Sequence, residues 1–181
     1  MTGSKLTVRE MAVLGMLGAL MFALKAAMMA LPNIHPVAVF IITGTIYFGW
    51  PMIYAVAVYV MLEGLVYGFG IWWISYLYIW PLLVGIVMLF RNTKGRLFWA
   101  VVAAVFGLCF GAMCAIPYLV VGGWSAAFSY WLSGIPFDIA HCVGNFAMVF
   151  ALLPVLLRAV GAAAGAAVRR DRYDESHVRS D

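Results

Sequence analysis

Two long stretches of this chain contain almost no charge, and they restrict its fold more than any other feature. In the range 43–90 the single formal charge is Glu63, and in the range 97–157 it is Asp138. One transmembrane helix needs about 20 apolar residues, so each stretch is long enough for several crossings. A soluble domain carries about 25% charged residues, whereas this chain carries 10%. The sequence therefore predicts an all-α integral membrane protein.

The basic residues indicate which side of the membrane each loop occupies. Ten of the eleven fall into three clusters, which are Lys5 and Arg9; Arg91, Lys94 and Arg96; and Arg158, Arg169, Arg170, Arg172 and Arg179. Cytoplasmic loops are enriched in Lys and Arg, so we expect all three clusters on the inner side. The breaks at 32–36, 70–75 and 120–133 contain neither residue type, which is typical of outer loops. This distribution also argues against a nucleic-acid partner, despite the net charge of +4.

The alternation of inner and outer loops sets the number of crossings. The first span, 9–31, runs outward, and the range 37–90 must return the chain to the inside by an odd number of crossings. Three crossings of about 18 residues fit a hydrocarbon core of about 30 Å, and the range 97–157 holds two more. We therefore predict six transmembrane helices with both termini cytoplasmic. They form a membrane domain, 1–158, followed by a disordered, polar cytoplasmic tail, 159–181.

Helix-breaking residues divide the long stretches at the expected places. They are Gly49-Trp50-Pro51, Gly68-Phe69-Gly70, Pro117, Gly122-Gly123 and Pro136. The second span, from Val37 to Gly49, is the shortest. It must sit nearly upright or cross a locally thinned membrane.

A stripe of small residues lies along the first span. Its members recur at intervals of three and four positions and are Ala12, Gly15, Ala19, Ala23, Ala26 and Ala30. Small residues let two helices in a membrane approach closely. The stripe could pack against the protein's own spans, or Gly15, Ala19 and Ala23 could dock on another subunit.

Polar side chains recur on one face of each of three spans. An ionisable side chain at mid-membrane costs at least about 2.5 kcal/mol, so each is a functional candidate. The faces are Tyr59, Glu63 and Tyr67 on span three; Trp73, Tyr76 and Trp80 on span four; and Asp138, His141 and Asn145 on span six. By the topology above they lie toward the outer side, as do Asn33 and His35. Aromatic rings with a few polar groups are typical of a small-molecule site.

We therefore predict a substrate-binding site formed by Asn33, His35, Glu63, Tyr67, Trp72, Trp73, Tyr76, Trp80, Asp138, His141 and Asn145. Other interpretations stay open for some of these residues. Trp72, Trp73, Tyr76 and Tyr78 could belong to an aromatic belt at the outer membrane surface. Lys25 could form a structural ion pair with Glu63 or Asp138, extend toward the surface, or contact the ligand. A metal at Asp138 and His141 lacks a third ligand in the sequence pattern, so we expect no metal and no other cofactor.

The sequence offers little support for catalysis. It contains no GxSxG, HExxH or GxxxxGK[ST] motif, so we expect no catalytic residues, and any active transport must take its energy from another protein. The cysteines, Cys109, Cys114 and Cys142, have no metal-ligand spacing and are expected to be small apolar residues. A stand-alone facilitator or channel is the main alternative function, and an intramembrane enzyme is a weaker one.

Four sequence blocks resemble the S components of energy-coupling factor (ECF) vitamin importers, over roughly residues 8–158. They are Leu-Pro-Asn-Ile-His-Pro (31–36), Glu-Gly-Leu-Val-Tyr-Gly-Phe-Gly (63–70), Trp-Trp-Ile-Ser-Tyr-Leu-Tyr-Ile-Trp (72–80) and Gly-Ile-Pro-Phe-Asp-Ile-Ala-His (134–141), the last running on through Gly144-Asn145. The resemblance rests on the order of these four blocks in a six-span chain of this length.

The resemblance implies a location, a partner set and a mode of action. S components are six-helix subunits of the bacterial plasma membrane that bind a micronutrient from outside, in a pocket closed by outer loops. They pair with a transmembrane coupling subunit and two cytoplasmic ATPases, and are thought to topple in the membrane to release their cargo. An A-x-x-x-A motif docks the coupling subunit, and Ala19 and Ala23 match it. Nickel and cobalt members begin with Met-His, whereas this chain begins with Met-Thr, which disfavours the metal branch.

Overall fold

A computed structural model describes residues 6–31 and 33–178 of the chain, with side chains as far as residue 162. All the regular structure in these residues is helical. The helices are α1 (Val8–Ala27), α2 (Val37–Phe48), α3 (Met52–Tyr67), α4 (Ile71–Leu89), α5 (Arg96–Leu108) and α6 (Phe110–Val178). The all-α prediction is confirmed.

The helix α6 consists of two arms that run in opposite directions. Its backbone is non-helical at Gly123, where φ is 69° and ψ is −168°, a conformation that glycine adopts without strain. Contacts across the two arms pair Tyr118 with Tyr130 and Gly111 with Asp138. As one contact residue moves back toward the start of α6, its partner moves forward along the chain. The second arm therefore runs antiparallel to the first.

The first arm of α6 continues the axis of α5. The amide of Cys109 bonds the carbonyl of Val105, and its own carbonyl accepts the amide of Met113. Together α5 and the first arm form one rod, 96–122, and the second arm, from residue 124, returns beside it. We call this unit the α5–α6 hairpin.

Among the described residues, three helical stretches are long and apolar enough to cross a membrane. They are Val8–Ala27, Ile71–Leu89 and Arg96–Ala162, and the last contains both rods of the α5–α6 hairpin. The apolar helices α2 and α3 are shorter, at 12 and 16 residues. These lengths are compatible with a membrane-embedded protein.

The short helix α2 begins deep inside the bundle. His35 lies in the non-helical segment before α2. Its ring packs against Trp80 of α4 and His141 of α6, with ring centroids 6.3 and 5.4 Å away. Trp80 is nine positions after the first residue of α4, or about 13 Å along that helix. The segment 33–36 therefore extends into the bundle before α2 starts, which accounts for the shortness of α2 without a thinned membrane.

Helix α1 contacts the bundle through one narrow face. Its buried residues are Leu14, Gly18 and Met21, and Gly18 lies against the Ala55 carbonyl and the Val58 side chain of α3. A single glycine thus provides the close approach between α1 and α3. The predicted stripe of small residues lies on another face.

The C-terminal end of α6 overlaps the predicted tail. The helix continues to Val178, whereas the sequence predicts disorder from residue 159. The range 159–168 is rich in alanine, which has the highest helix propensity. Residues 179–181 and the side chains from 163 onward lie outside the described part, so the boundary at 158 stays a prediction.

Candidate functional site

A cavity of about 340 Å³ opens where α1 and α3 end and α4 begins. The residues that line it are Lys25, Met28, Met29, Leu31, Asn33, His35, Glu63, Tyr67, Trp72 and Tyr76. Six of them belong to the predicted substrate-binding set, namely Asn33, His35, Glu63, Tyr67, Trp72 and Tyr76. The predicted faces of spans three and four and the break after span one therefore meet at one cavity.

An ion pair between α1 and α3 lies in the wall of this cavity. Lys25 Nζ lies 2.5 Å from Glu63 Oε2 and also donates to the Tyr76 hydroxyl at 3.3 Å. The Glu63 side chain is 1% exposed and that of Lys25 is 22% exposed. The ammonium also lies over the Tyr76 ring, 5.1 Å from its centroid. Of the interpretations open for Lys25, the ion pair with Glu63 is the one found, and Lys25 also lines the cavity.

Aromatic side chains of α4 form a second wall. Trp72 packs edge-on against Tyr76, with ring centroids 5.3 Å apart, and both line the cavity. Trp73 does not line it. Its indole N–H donates to the Val60 carbonyl at 2.8 Å and its ring packs against Phe69, so it joins α4 to α3.

Below the cavity lies a buried polar cluster, defined here as His35, Trp80 and His141. Their side chains are 7%, 0% and 1% exposed. Within the described residues, no hydrogen-bond partner meets His35 Nδ1, Trp80 Nε1 or either ring nitrogen of His141. A buried polar atom without a partner is costly. Of the cluster, His35 alone reaches the cavity.

Asp138 and Asn145 lie at the contact between the two rods of the α5–α6 hairpin. Asp138 Oδ1 accepts the amide of Gly111 at 2.8 Å, and Asn145 Nδ2 donates to the Ala103 carbonyl at 3.1 Å. Both side chains are buried, and neither lines the cavity. The sequence pattern correctly places Asp138, His141 and Asn145 on one helical face, but that face packs against α5 and the first arm of α6.

Sequence reasoning missed the apolar part of the lining. Met28, Met29 and Leu31 follow the end of α1 and form one side of the cavity. The sequence feature that could have identified these residues is their position, because they are apolar and lie between the end of a helix and the polar break at residues 32–36. Lys25 was recognised as a candidate but left out of the predicted site.

The residues described contain no group of three His, Cys, Asp or Glu side chains close enough to hold a metal ion. Asp138 and His141, the pair considered for a metal, have separate surroundings. Asp138 bonds the Gly111 amide, and the His141 ring packs against His35 and Phe110.

The small-residue stripe on α1 has no packing partner over its central part. Ala12, Ala19 and Ala23 are exposed, and a side chain added at Gly15 would meet no atom within 4 Å. A larger apolar groove of about 640 Å³ lies at the N-terminal half of α1, between that helix, α2 and the end of α6. The groove is mostly apolar but also includes Arg9, Glu10, Thr43 and Tyr47. It contains none of the predicted substrate-binding residues, so we take the smaller cavity as the candidate ligand site.

Comparisons with protein-family models, curated protein sequences and solved structures find no match to this chain.

Proposed function

We propose that this chain is the substrate-binding subunit, or S component, of an ATP-driven ECF-type importer for a water-soluble vitamin or a related heterocyclic micronutrient. In this proposal it crosses the bacterial plasma membrane six times with both termini in the cytoplasm. It binds its substrate in the cavity, and a separate coupling subunit with two ATPases supplies the energy.

The observation that carries the proposal is the composition of the cavity. Its volume of about 340 Å³ falls within the range of about 300–1,000 Å³ typical of small-molecule sites. It combines the ion pair of Lys25 and Glu63 with the rings of Tyr67, Trp72 and Tyr76. Charged groups inside a membrane bundle are expensive and mark functional sites.

The apolar core beneath the buried polar cluster favours a binding subunit over a channel. Farther along α4 and α6 the buried side chains are apolar, and they include Leu83, Val84, Val87, Val149 and Leu153. A channel needs a continuous polar path through the bilayer. A site open at one end suits a subunit that presents its cargo to a partner.

The exposed stripe on α1 supports docking on another subunit. Internal packing of α1 uses Gly18, which leaves Gly15, Ala19 and Ala23 available to a second protein. In a membrane, close backbone approach at small residues is a main source of helix association. We propose this face as the contact with the coupling subunit.

Native mass spectrometry of the full-length protein, purified in mild detergent, tests the proposal. We expect a co-purified molecule of vitamin size that is lost from a Trp72→Ala variant and retained by a Trp124→Ala variant. Trp124 is 82% exposed at the far tip of the α5–α6 hairpin, so it controls for loss of an indole. Absence of any bound molecule from wild type, together with no binding of a panel of vitamins, would contradict the proposal.

A further inference from the structure

Two buried acidic side chains, Glu63 and Asp138, each have one carboxylate oxygen bonded by the protein, while Glu63 Oε1 and Asp138 Oδ2 meet no hydrogen-bond partner among the described residues. Glu63 is 1% exposed and paired with Lys25. Asp138 is 3% exposed, accepts the Gly111 amide and lies away from the cavity. A cationic substrate at Glu63 would share that carboxylate with Lys25 and lie close to its ammonium, so like-charge repulsion disfavours a cation.

Of the two charged residues that line the cavity, Lys25 is the more accessible. Its side chain is 22% exposed, against 1% for Glu63. An ammonium has three N–H donors, of which Glu63 and Tyr76 accept two. One donor is left for a ligand, and the more accessible end of the ion pair is the positive one.

A second positive feature lies beside the cavity floor. Helix α2 starts two positions after His35, which lines the cavity. A helix N-terminus carries roughly half a positive charge, and its first amide groups have no partner within the helix. Within the described part of the chain no side chain caps α2, and its N-cap residue is Pro36, which has no N–H. The buried His35 Nδ1, without a partner among the described residues, is an independent polar group at the same place.

Half-length helices of this kind have a known use in membrane transport. Where a helix begins near the middle of a bundle, its N-terminus can hold an anionic part of the substrate. The twelve residues of α2 span about 18 Å, and the segment 33–36 gives its N-terminus a position within the bundle. Lys25 and this N-terminus therefore both favour negative charge at the cavity.

The remaining lining favours a flat ring. Trp72 and Tyr76 supply aromatic surface and Met28 and Met29 supply adaptable apolar contacts. Aromatic pairs stabilise a complex beyond the area that they bury. A cavity of about 340 Å³ is close to the lower end of the usual range, which suits a ligand of one or two rings.

We propose that the substrate of this cavity is a small organic acid with an aromatic or heteroaromatic ring, whose anionic group binds Lys25 and the N-terminus of α2. This inference rests on the proposed function, because it names the substrate class of the same site.

Three probes of equal size but different charge test the proposal. They are 2-naphthoate, 2-naphthamide and 2-naphthylmethylammonium, titrated calorimetrically into the full-length protein in detergent after exchange of any bound molecule. We expect 2-naphthoate to bind at least tenfold more tightly than the ammonium compound, with the amide between them. Tightest binding of the ammonium compound, or no binding of any probe, overturns the proposal.

Variants at the ion pair give a second readout. Lys25→Met should weaken 2-naphthoate binding at least tenfold and leave 2-naphthamide within threefold of wild type. Because Lys25→Met leaves Glu63 unpaired and can impair folding, the double variant Lys25→Met/Glu63→Gln provides the same test without an unpaired charge. Lys94→Met, the same change in the exposed loop before α5, should alter nothing. Unchanged 2-naphthoate binding by the folded double variant overturns the proposal.

The variant Trp72→Ala separates failure of this inference from failure of the proposed function. If all three probes bind equally and all weaken in Trp72→Ala, the cavity is the binding site and only the charge preference is wrong. If the probes bind and none responds to Trp72→Ala, they occupy another place, and the proposed site fails together with the inference.

Discussion

Lys25 Nζ and Glu63 Oε2 lie 2.5 Å apart and join the end of α1 to α3 at the wall of the cavity. The two residues are 38 positions apart in the chain, and neither has another charged side chain of the described residues within ion-pair distance. The pair therefore connects two helices at the wall of the cavity.

The first prediction concerns the stability that this pair provides. Removing one partner of a buried ion pair destabilises strongly because the other charge stays unpaired. We expect Lys25→Met to lower the free energy of unfolding by about 3 kcal/mol, measured by denaturant titration in detergent. The double variant Lys25→Met/Glu63→Gln should recover most of that loss. Equal stability of the single variant and wild type would show that the pair is not structural.

The second prediction concerns Asp138, which sequence reasoning assigned to the substrate. Its carboxylate accepts the Gly111 amide inside the α5–α6 hairpin. We expect Asp138→Ala to cost about 1–3 kcal/mol of stability, the usual cost of an unsatisfied buried group. Affinity for the co-purified molecule should change less than threefold, measured by calorimetry. A tenfold loss of affinity in a variant of normal stability would contradict this prediction and indicate that Asp138 contacts the ligand.

The third prediction concerns the aromatic wall. Trp72 lines the cavity, whereas its neighbour Trp73 bonds the Val60 carbonyl of α3. We expect Trp72→Ala to weaken ligand binding at least tenfold with little change in unfolding. Trp73→Ala should lower the unfolding midpoint and leave ligand binding largely unchanged. The two adjacent tryptophans are matched controls for each other, and identical phenotypes would contradict the assignment.

The fourth prediction concerns docking through α1. Ala19→Leu and Ala23→Leu add bulk to an exposed face that is separate from the cavity. We expect both variants to bind the ligand normally but to lose uptake and co-purification with the coupling subunit. Ala147→Leu, an exposed alanine on α6, is the control and should transport normally. Normal uptake by both α1 variants would contradict docking through the stripe and indicate that this face contacts lipid.

The fifth prediction concerns topology. In a background without native cysteines, we expect Thr93→Cys to react with an impermeant reagent only from the cytoplasmic side and Ser125→Cys only from outside. Ser125 is exposed and is preferable to Gly123, whose positive φ disfavours any other residue. Labelling of Thr93→Cys in intact cells would contradict six crossings.

The ends of α2 and α3 were predictable from the sequence because glycine has a local physical effect. Other predicted breaks were wrong: Pro117 and Pro136 lie inside α6, and the predicted loops 70–75 and 120–133 are largely helical. Gly49 and Gly68 end α2 and α3 with φ of 73° and 91°, and both lie in breaks recognised from composition. The hairpin at Gly123 follows from the same reasoning. These residues act through their own backbone conformation, so the sequence alone identifies them.

The sequence did not predict which face each helix turns toward its neighbours, or how far along the bundle each helix lies. The i, i+3 and i+7 spacing places Asp138, His141 and Asn145 on one helical face. It does not indicate which helix packs against that face. Gly107 and Gly111 determine that neighbour, because a side chain at either would clash with the second arm of α6. Likewise, the exclusion of Trp73 from the cavity depends on a bond to α3, which no pattern within α4 reveals.

The burial of α2 has a consequence for the biogenesis of the protein. Eight of its twelve residues are buried, and its neighbours include α4 and α6 as well as α1 and α3. A segment enclosed on so many sides cannot reach its final environment while the ribosome is still making α4 to α6. The residues that surround it are synthesised up to about a hundred positions later, as the contact of His35 with His141 illustrates. The first half of the chain therefore stays incompletely packed until the α5–α6 hairpin has been synthesised and closes around α2.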